Sequence, residues 1–156
     1  MDLKQLYQDI ILEHGKSPRN LGKCKGYSHD AKGYNPLCGD KVHVYLKLNS
    51  EKKVENLTFE GEGCAISLAS ASIMTELVKG KSLDVAKDIM KAFLNMVKNT
   101  SQIQSNYLDD DQKTKLMSLS GVREFPMRVK CATLSWHTLV SALEKKHKDV
   151  NTEAID

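Results

Sequence analysis

The sequence KVHVYLKLNSEKKVENLTFEGE (residues 41–62) decides the fold class of this chain. In its first part, apolar and polar residues alternate, which predicts a strand with one apolar face. The polar turn SEKK follows, and VENLTFEGE (residues 54–62) returns with apolar Val54, Leu57 and Phe59. Two such segments joined by a short turn predict an antiparallel hairpin. Its apolar face needs a cover, for which helices are the candidates.

The segments on either side of the hairpin are mostly helical in pattern. Residues 3–14 carry apolar side chains at the i, i+3, i+4, i+7 and i+8 positions of an amphipathic helix. A first strand is predicted near Cys24–Ala31. Beyond the hairpin, four further helices are predicted over residues 64–80, 82–99, 109–119 and 131–147.

Specific residues predict where these helices begin and end. Gly80 is a C-cap candidate, and Ser82 is the predicted N-cap of the helix that follows. Asp109 with Gln112 has the spacing of a capping box. Residues 121–126, from Gly121 to Pro126, are predicted to be an irregular connector.

Strands that precede helices predict an α+β fold, with a small antiparallel sheet of about three strands covered on one face by helices. The 156 residues fit one domain, so we expect a single domain over residues 1–156 with a flexible tail from about residue 148.

Composition excludes some classes of function. A net charge of +3 with dispersed basic residues does not favour a nucleic-acid partner. No apolar run approaches the length of about 18 residues that a membrane span needs, so no membrane association is expected. The first 15 residues carry acidic side chains among the apolar positions and do not have the pattern of a secretory signal. Together with free cysteines, this predicts a cytoplasmic protein.

Three of the four cysteines lie where predicted elements begin. Cys38 precedes a strand, and Cys64 and Cys131 open two predicted helices, where the helix dipole favours the thiolate. Asp40 lies two residues after Cys38, and in extended backbone both side chains point to the same side. Three sulfurs and one oxygen match a four-coordinate metal site. Such a site carries excess negative charge, which Arg128 and Lys130 are placed to offset.

The spacing by itself leaves a second interpretation open. There are 25 residues between Cys38 and Cys64 and 66 between Cys64 and Cys131, which matches no short metal-binding pattern. Four small buried residues explain the cysteines equally well on this ground.

Longer motifs around these residues carry a resemblance to a known family. The segments YNPLCGD (34–40), GEGCAIS (61–67) and RVKCATLSWHTL (128–139), in this order, resemble the U-type iron–sulfur cluster assembly proteins, IscU, SufU and the N-terminal part of NifU. The opening LYQDIILEHGKSPRNLG (6–22) is also similar, and the resemblance spans about residues 3–145. It implies a SufE/NifU-like fold.

The resemblance is nearest to the SufU branch. Residues 81–120 supply the longer segment that SufU-like proteins carry between the second and third motif cysteines. Lys130 stands directly before Cys131, where IscU has a histidine ligand. EFPMRVK (124–130) replaces the LPPVK chaperone-recognition sequence of IscU, so chaperone-assisted cluster release is not carried over to this chain.

The resemblance implies a function and a ligand set. SufU-like proteins bind zinc through three cysteines and an aspartate, which correspond to Cys38, Cys64, Cys131 and Asp40. They accept persulfide sulfur from a pyridoxal-phosphate-dependent cysteine desulfurase of the SufS type, and Cys38 corresponds to the acceptor. This implies a sulfurtransferase-type carrier and desulfurase activator rather than a stand-alone enzyme, with downstream Suf scaffold proteins as further partners. The alternative is a scaffold that holds iron or a transient [2Fe–2S] cluster on the same residues and transfers it to apo-proteins.

Three further residues are assigned no part in the site. Cys24 belongs to no motif and is expected in strand packing or at the surface. His137 lies six residues after Cys131, about 240° around a helix, and therefore faces elsewhere. His14 at a helix end fits either partner docking or a local role at that helix terminus.

Overall fold

The computed structural model describes residues 2–99, 102–144 and 149–154. Within these residues, the α-helices are α1 (Leu3–Lys16), α2 (Ala65–Val78), α3 (Leu83–Lys98), α4 (Asp110–Met117) and α5 (Pro126–Leu143). The strands are β1 (His29–Asn35), β2 (Asp40–Leu48), β3 (Val54–Glu62) and β4 (Val150–Asn151). Short 3-10 helices span Ser120–Glu124 and Thr152–Ala154.

The strands form one mixed sheet in the order β3-β2-β1-β4. β2 pairs antiparallel with both β1 and β3, and β4 runs parallel to β1. The predicted hairpin of residues 41–62 and the α+β fold are confirmed. We expected about three antiparallel strands, and the structure adds a fourth, the parallel edge strand β4. Its two residues carry no apolar pattern, so the sequence gives no signal for this strand.

Helices α2 and α5 cover one face of the sheet, and α3 packs outside them. Val44 and Phe59 of the hairpin and Ile73 of α2 are fully buried in one core. Phe93 of α3 stacks on Trp136 of α5 with ring centroids 4.4 Å apart. The apolar face of the hairpin is thus buried against helices, as its pattern requires.

The predicted helix boundaries are largely confirmed. Ser82 caps α3 through the Val85 N–H, and Asp109 and Gln112 form the capping box of α4 with both hydrogen bonds present. Gly80 lies one residue beyond the C-cap of α2 with φ of +85°, a conformation that glycine adopts without strain.

The first strand was placed wrongly at Cys24–Ala31, since β1 runs from His29 to Asn35. Its inward residues are Ala31, Gly33 and Asn35, which are small or polar, so the strand has no apolar alternation to detect. The structure explains the glycine, because a Cβ at position 33 would lie 2.1 Å from Thr138 Oγ1 of α5. β1 and α5 therefore approach more closely than any larger residue would allow.

The last helix begins five residues earlier than predicted. Pro126 is its first residue, a position at which proline is favoured because its missing N–H has no helical partner. The expected irregular connector is a 3-10 helix over Ser120–Glu124 followed by this start. Cys131 consequently lies in the second turn of α5 and not at its N-terminus, so the expected dipole effect does not apply to it.

The chain end differs from the expected flexible tail. Residue 148 lies outside the described residues, but Val150 and Asn151 pair with Gly33 and Tyr34 of β1. The Thr152 side chain that follows is 2% exposed. Polar composition suggested a solvated tail, whereas the segment adds an edge strand to the sheet.

Among the described residues, no helix is long and apolar enough to cross a bilayer.

The close approach of β1 to α5 gives a test of the fold. We expect Gly33→Ala to lower the free energy of unfolding by about 1–3 kcal/mol, because the added methyl overlaps Thr138. The matched control is Gly121→Ala, where a Cβ meets no atom within 4 Å. That change should shift stability by less than about 1 kcal/mol. Urea denaturation of both variants provides the measurement, and equal midpoints would contradict the packing described.

Candidate metal centre

The turn between β1 and β2 carries Cys38 and leads into Asp40. The Cys38 N–H donates to Asn35 O at 3.3 Å, and Gly39 follows with φ of +71°, which favours glycine. Asp40 opens β2 with its side chain inside the protein, 1% exposed, while Cys38 keeps partial exposure. The bend at Gly39 therefore separates an accessible sulfur from a buried carboxylate.

Cys64 is the N-cap of α2. Its sulfur accepts a hydrogen bond from the Ser67 N–H at 3.5 Å, and its own backbone N–H donates to Asp40 Oδ1 at 2.9 Å. The predicted position at a helix start is thus confirmed for this cysteine. Since a cap sulfur faces the free N–H groups of the first turn, the helix stabilises a thiolate there.

Cys131 comes from α5 and is fully buried. One donor atom each from Cys38, Asp40 and Cys131 lie within 4.8 Å of one another. Cys64 lies outside this group of three, and it joins the site through its N–H on Asp40 and through the interaction of its side chain with the neighbouring Cys131. The turn, the start of β2 and α5, which are far apart in sequence, therefore meet at one place beside the N-cap of α2.

The thiols of Cys64 and Cys131, from α2 and α5, have pKa values shifted in opposite directions. The neighbouring Cys131 side chain, together with the Ser67 N–H, lowers the pKa of the Cys64 thiol to about 6. The Cys64 side chain and burial raise the pKa of Cys131. Without a metal, Cys64 is therefore a thiolate near neutral pH and Cys131 is a thiol.

Asn35 is a residue of the site that the sequence did not reveal. Its side chain is fully buried, and Nδ2 donates to Asp40 Oδ2 at 3.0 Å and to Cys131 Sγ at 3.4 Å. On its other side, Oδ1 accepts from Thr152 Oγ1 at 3.0 Å. An asparagine before a proline is typical of a turn, so the sequence gives no signal for this role.

Gly63 leaves the space that the Asp40 carboxylate occupies. A Cβ at position 63 would lie 2.2 Å from Asp40 Oδ1, and φ is +149°. Only glycine fits here, because a side chain would displace the carboxylate and would also strain the backbone.

The two basic candidates have different surroundings. The exposed Arg128 lies near Cys131, and the Cys131 sulfur, with the sulfurs of Cys64 and Cys38, raises the pKa of its guanidinium. Lys130 Nζ donates instead to Glu153 Oε1 at 2.7 Å. Arg128 is therefore the cation beside the cysteines, and Lys130 binds Glu153 in the segment that follows β4.

The other cysteine and histidines lie elsewhere. Cys24 is 2% exposed, and its thiol donates only weakly to Lys25 O at 3.8 Å. His14 is buried, and its Nδ1 is 2.8 Å from Ser72 Oγ, so it belongs to the packing of α1 on α2. His137 is half-buried, and burial, with the charge of Lys98, lowers its pKa to about 4.

The donor set suits a thiophilic metal ion. Three sulfurs and one carboxylate are ligands of zinc and of iron, whereas magnesium and calcium require oxygen. The buried carboxylate already has hydrogen-bond donors on both oxygens, as metal-ligating carboxylates usually do.

Comparison with known proteins gives consistent matches over most of the chain. The model of the NifU-like N terminal domain matches residues 6–145. A zinc-dependent sulfurtransferase, SufU of Bacillus subtilis, is 40% identical over 93% of this chain and 94% of its own. An iron–sulfur cluster assembly scaffold protein, IscU of Streptococcus pyogenes, is 35% identical over 92% of this chain and 86% of its own.

A solved structure agrees with these matches. A crystal structure from Fervidobacterium islandicum AW-1, described as an iron–sulfur cluster assembly scaffold protein for the SUF system, superposes with a TM-score of 0.76. It is 34% identical in sequence, and the alignment covers 89% of this chain and 97% of that one.

The lowered pKa of Cys64 can be tested in metal-free protein. Iodoacetamide reacts with thiolate, so the alkylation rate of Cys64 should rise as pH increases through about 6. Cys131→Ala removes the neighbour that lowers this pKa, and the midpoint should then move up towards the usual range for cysteine, about 8.5. Mass spectrometry of the Cys64 peptide across pH 5–9 measures both. An unchanged midpoint in the variant would contradict the assigned cause.

Proposed function

Because the chain belongs to the NifU-like N-terminal domain family, we propose that it is an iron–sulfur cluster assembly protein that accepts sulfur from a cysteine desulfurase. The observation that carries the proposal is the convergence of Cys38, Asp40 and Cys131 within 4.8 Å, with the Cys64 N–H donating to Asp40 Oδ1. The SufU relative, named a zinc-dependent sulfurtransferase, supports the same conclusion.

We assign Cys38, Asp40, Cys64 and Cys131 as the residues that would hold a zinc ion. Bound there, zinc would keep the sulfurs unprotonated without adding redox chemistry of its own. Arg128 stands beside the sulfurs and offsets part of their negative charge. Asn35 and the Cys64 N–H orient the Asp40 carboxylate.

Cys38 is assigned as the sulfur acceptor because its surroundings differ from those of the other two cysteines. Cys131 is fully buried, and Cys64 is held as a helix cap. Cys38 alone of the three sits in a turn, between exposed Leu37 and exposed Gly39, where a partner can reach its sulfur. An accessible thiolate on a turn suits a group that must enter another protein's active site.

The transfer step follows from thiol–persulfide exchange. The Cys38 thiolate attacks the outer sulfur of a persulfide on the desulfurase cysteine, and a new S–S bond forms at Cys38. The original S–S bond breaks, and the desulfurase cysteine leaves as a thiolate. The step needs no external oxidant or reductant, because the outer sulfur is passed on in the same oxidation state.

The proposal also specifies which type of desulfurase donates the sulfur and which proteins receive it. We assign a pyridoxal-phosphate-dependent desulfurase of the SufS type as the sulfur donor and downstream Suf scaffold proteins as recipients, in the cytoplasm. The exposed apolar side chain of Leu37, next to Cys38, supplies contact surface for such a partner.

A second candidate function is favoured by the names of two other similar proteins. The Streptococcus relative and the Fervidobacterium structure are both described as scaffold proteins for cluster assembly. Cys38, Cys64, Cys131 and Asp40 would then hold a [2Fe–2S] cluster as cargo, for which thiolates are suitable ligands.

The first function predicts that Cys38 is essential for desulfurase stimulation. Zinc-loaded parent protein should accelerate a SufS-type desulfurase, and Cys38→Ala should lose more than about tenfold of that stimulation because the nucleophile is absent. Cys24→Ala is the matched control, since Cys24 lies apart from the cluster, and it should stimulate as the parent does. Sulfide release from cysteine provides the assay. Full stimulation by Cys38→Ala would refute the mechanism.

Anaerobic reconstitution separates the two functions. The sulfur-carrier proposal predicts that zinc-loaded protein stimulates the desulfurase and that the metal-free form does not. The scaffold proposal predicts a stable visible spectrum after incubation with iron and sulfide, and transfer of the cluster to an apo-protein. A cluster that forms and transfers efficiently, without any stimulation by the zinc form, would favour the scaffold.

A further inference from the structure

Residues 150–154 reach the candidate metal centre through a hydrogen-bonded path that runs from Thr152 by way of Asn35. Asn35 is the last residue of β1 and Asp40 the first of β2, and the two are direct cross-strand partners. This register places both side chains on the same face of the sheet. α5 approaches closely over Gly33 and brings Cys131 to the same place.

The Asn35 amide matters because its two ends are chemically different. Nδ2 carries two N–H groups, and here they serve the Asp40 carboxylate and the Cys131 sulfur. If the amide turned over, Oδ1 would face these two acceptors, so Asp40 Oδ2 and the Cys131 sulfur would both lose their bond from Asn35. Asn35 is fully buried, so no solvent would replace the lost bonds.

Thr152 favours the productive orientation of this amide. Its Oγ1 donates to Asn35 Oδ1 at 3.0 Å, and both residues are buried. Thr152 is held in turn by two attachments of the chain end. Val150 and Asn151 pair with β1, and Glu153 accepts a hydrogen bond from Lys130 at 2.7 Å.

We propose that residues 150–154 are a positioning element of the centre, in which Thr152 sets the orientation of the Asn35 amide and Asn35 holds Asp40 and Cys131. Thr152 and Asn35 are positioning residues that take no part in the sulfur transfer itself. Partners of this kind behind metal ligands fix ligand orientation and raise metal affinity. The inference uses the ligand set of the proposed function, and its tests do not require a desulfurase.

The first test compares zinc affinities of the full-length chain by competition with a chromophoric chelator. Thr152→Val keeps the shape and removes the hydroxyl, and it should weaken zinc binding by about tenfold. Thr152→Ser retains the hydroxyl and should stay within about threefold of the parent. Asn35→Asp replaces the donors by a charge beside Asp40, and it should weaken binding by about 100-fold.

The matched control is Thr138→Val. Thr138 is also buried, but its hydroxyl donates to Leu134 O within α5 and does not reach the centre. This variant should bind zinc within about threefold of the parent. Thermal unfolding of each metal-free variant accompanies the titrations. If Thr152→Val lowers the melting temperature but leaves zinc affinity unchanged, Thr152 is merely structural and the inference is overturned.

A second readout needs no metal. In metal-free protein, Cys131 is buried and bonded to Asn35, so iodoacetamide should label it slowly. Thr152→Val should raise that labelling rate several-fold, and Thr152→Ser and Thr138→Val should not. If Thr152→Val matches the parent in zinc affinity and in labelling, or if Thr152→Ser behaves like Thr152→Val, the inference fails. If the parent binds no zinc, the proposed zinc function fails, and the labelling rates alone decide the inference.

Discussion

The buried carboxylate of Asp40 connects the parts of the chain that carry the cysteines. One oxygen accepts from the N-cap residue of α2 and the other from the last residue of β1, while the space it fills exists because residue 63 is glycine. A buried carboxylate is costly unless donors compensate it, so these bonds and the cluster of sulfurs depend on one another. Loss of the carboxylate would leave the Cys64 N–H and one Asn35 N–H without their acceptors.

Around this carboxylate, the three sulfurs lie in different environments. Cys131 is fully buried, Cys64 is half-buried at the N-cap of α2, and Cys38 is half-buried on a turn. The buried sulfur of Cys131 suits retention of a metal, and the sulfur of Cys38, on a turn with exposed neighbours, suits exchange with a partner. The arrangement thereby joins a stable binding site to a reactive group, as a sulfur carrier requires.

Strong local patterns made most of the architecture predictable from sequence. The alternation in residues 41–62 gave the hairpin, and Asp109 with Gln112 gave the start of α4. β1 was placed too early because Ala31, Gly33 and Asn35 face inwards without an apolar pattern. What determines the position of β1 is the close packing of Gly33 against α5. This contact exists only in the folded chain and therefore cannot be read from the sequence.

The candidate site was predictable only as far as motifs extend. Cys38, Asp40, Cys64 and Cys131 were singled out by their motifs, but spacing could not show that three of them, Cys38, Asp40 and Cys131, lie within 4.8 Å of one another. Asn35 looked like a turn residue, and its role depends on Thr152, which is 117 residues away in sequence. Lys130 has the same charge as Arg128, so the sequence predicted the same role for both. In the structure, the Lys130 side chain forms an ion pair with Glu153 instead.

X-ray absorption at the zinc edge of the zinc-loaded protein tests the central claim, that these four side chains share one ion. The account predicts three sulfur ligands at about 2.3 Å and one oxygen at about 2.0–2.2 Å, and it predicts that Cys131→Ser removes one of the sulfurs. A shell of mainly nitrogen and oxygen, or one unchanged by Cys131→Ser, would contradict it.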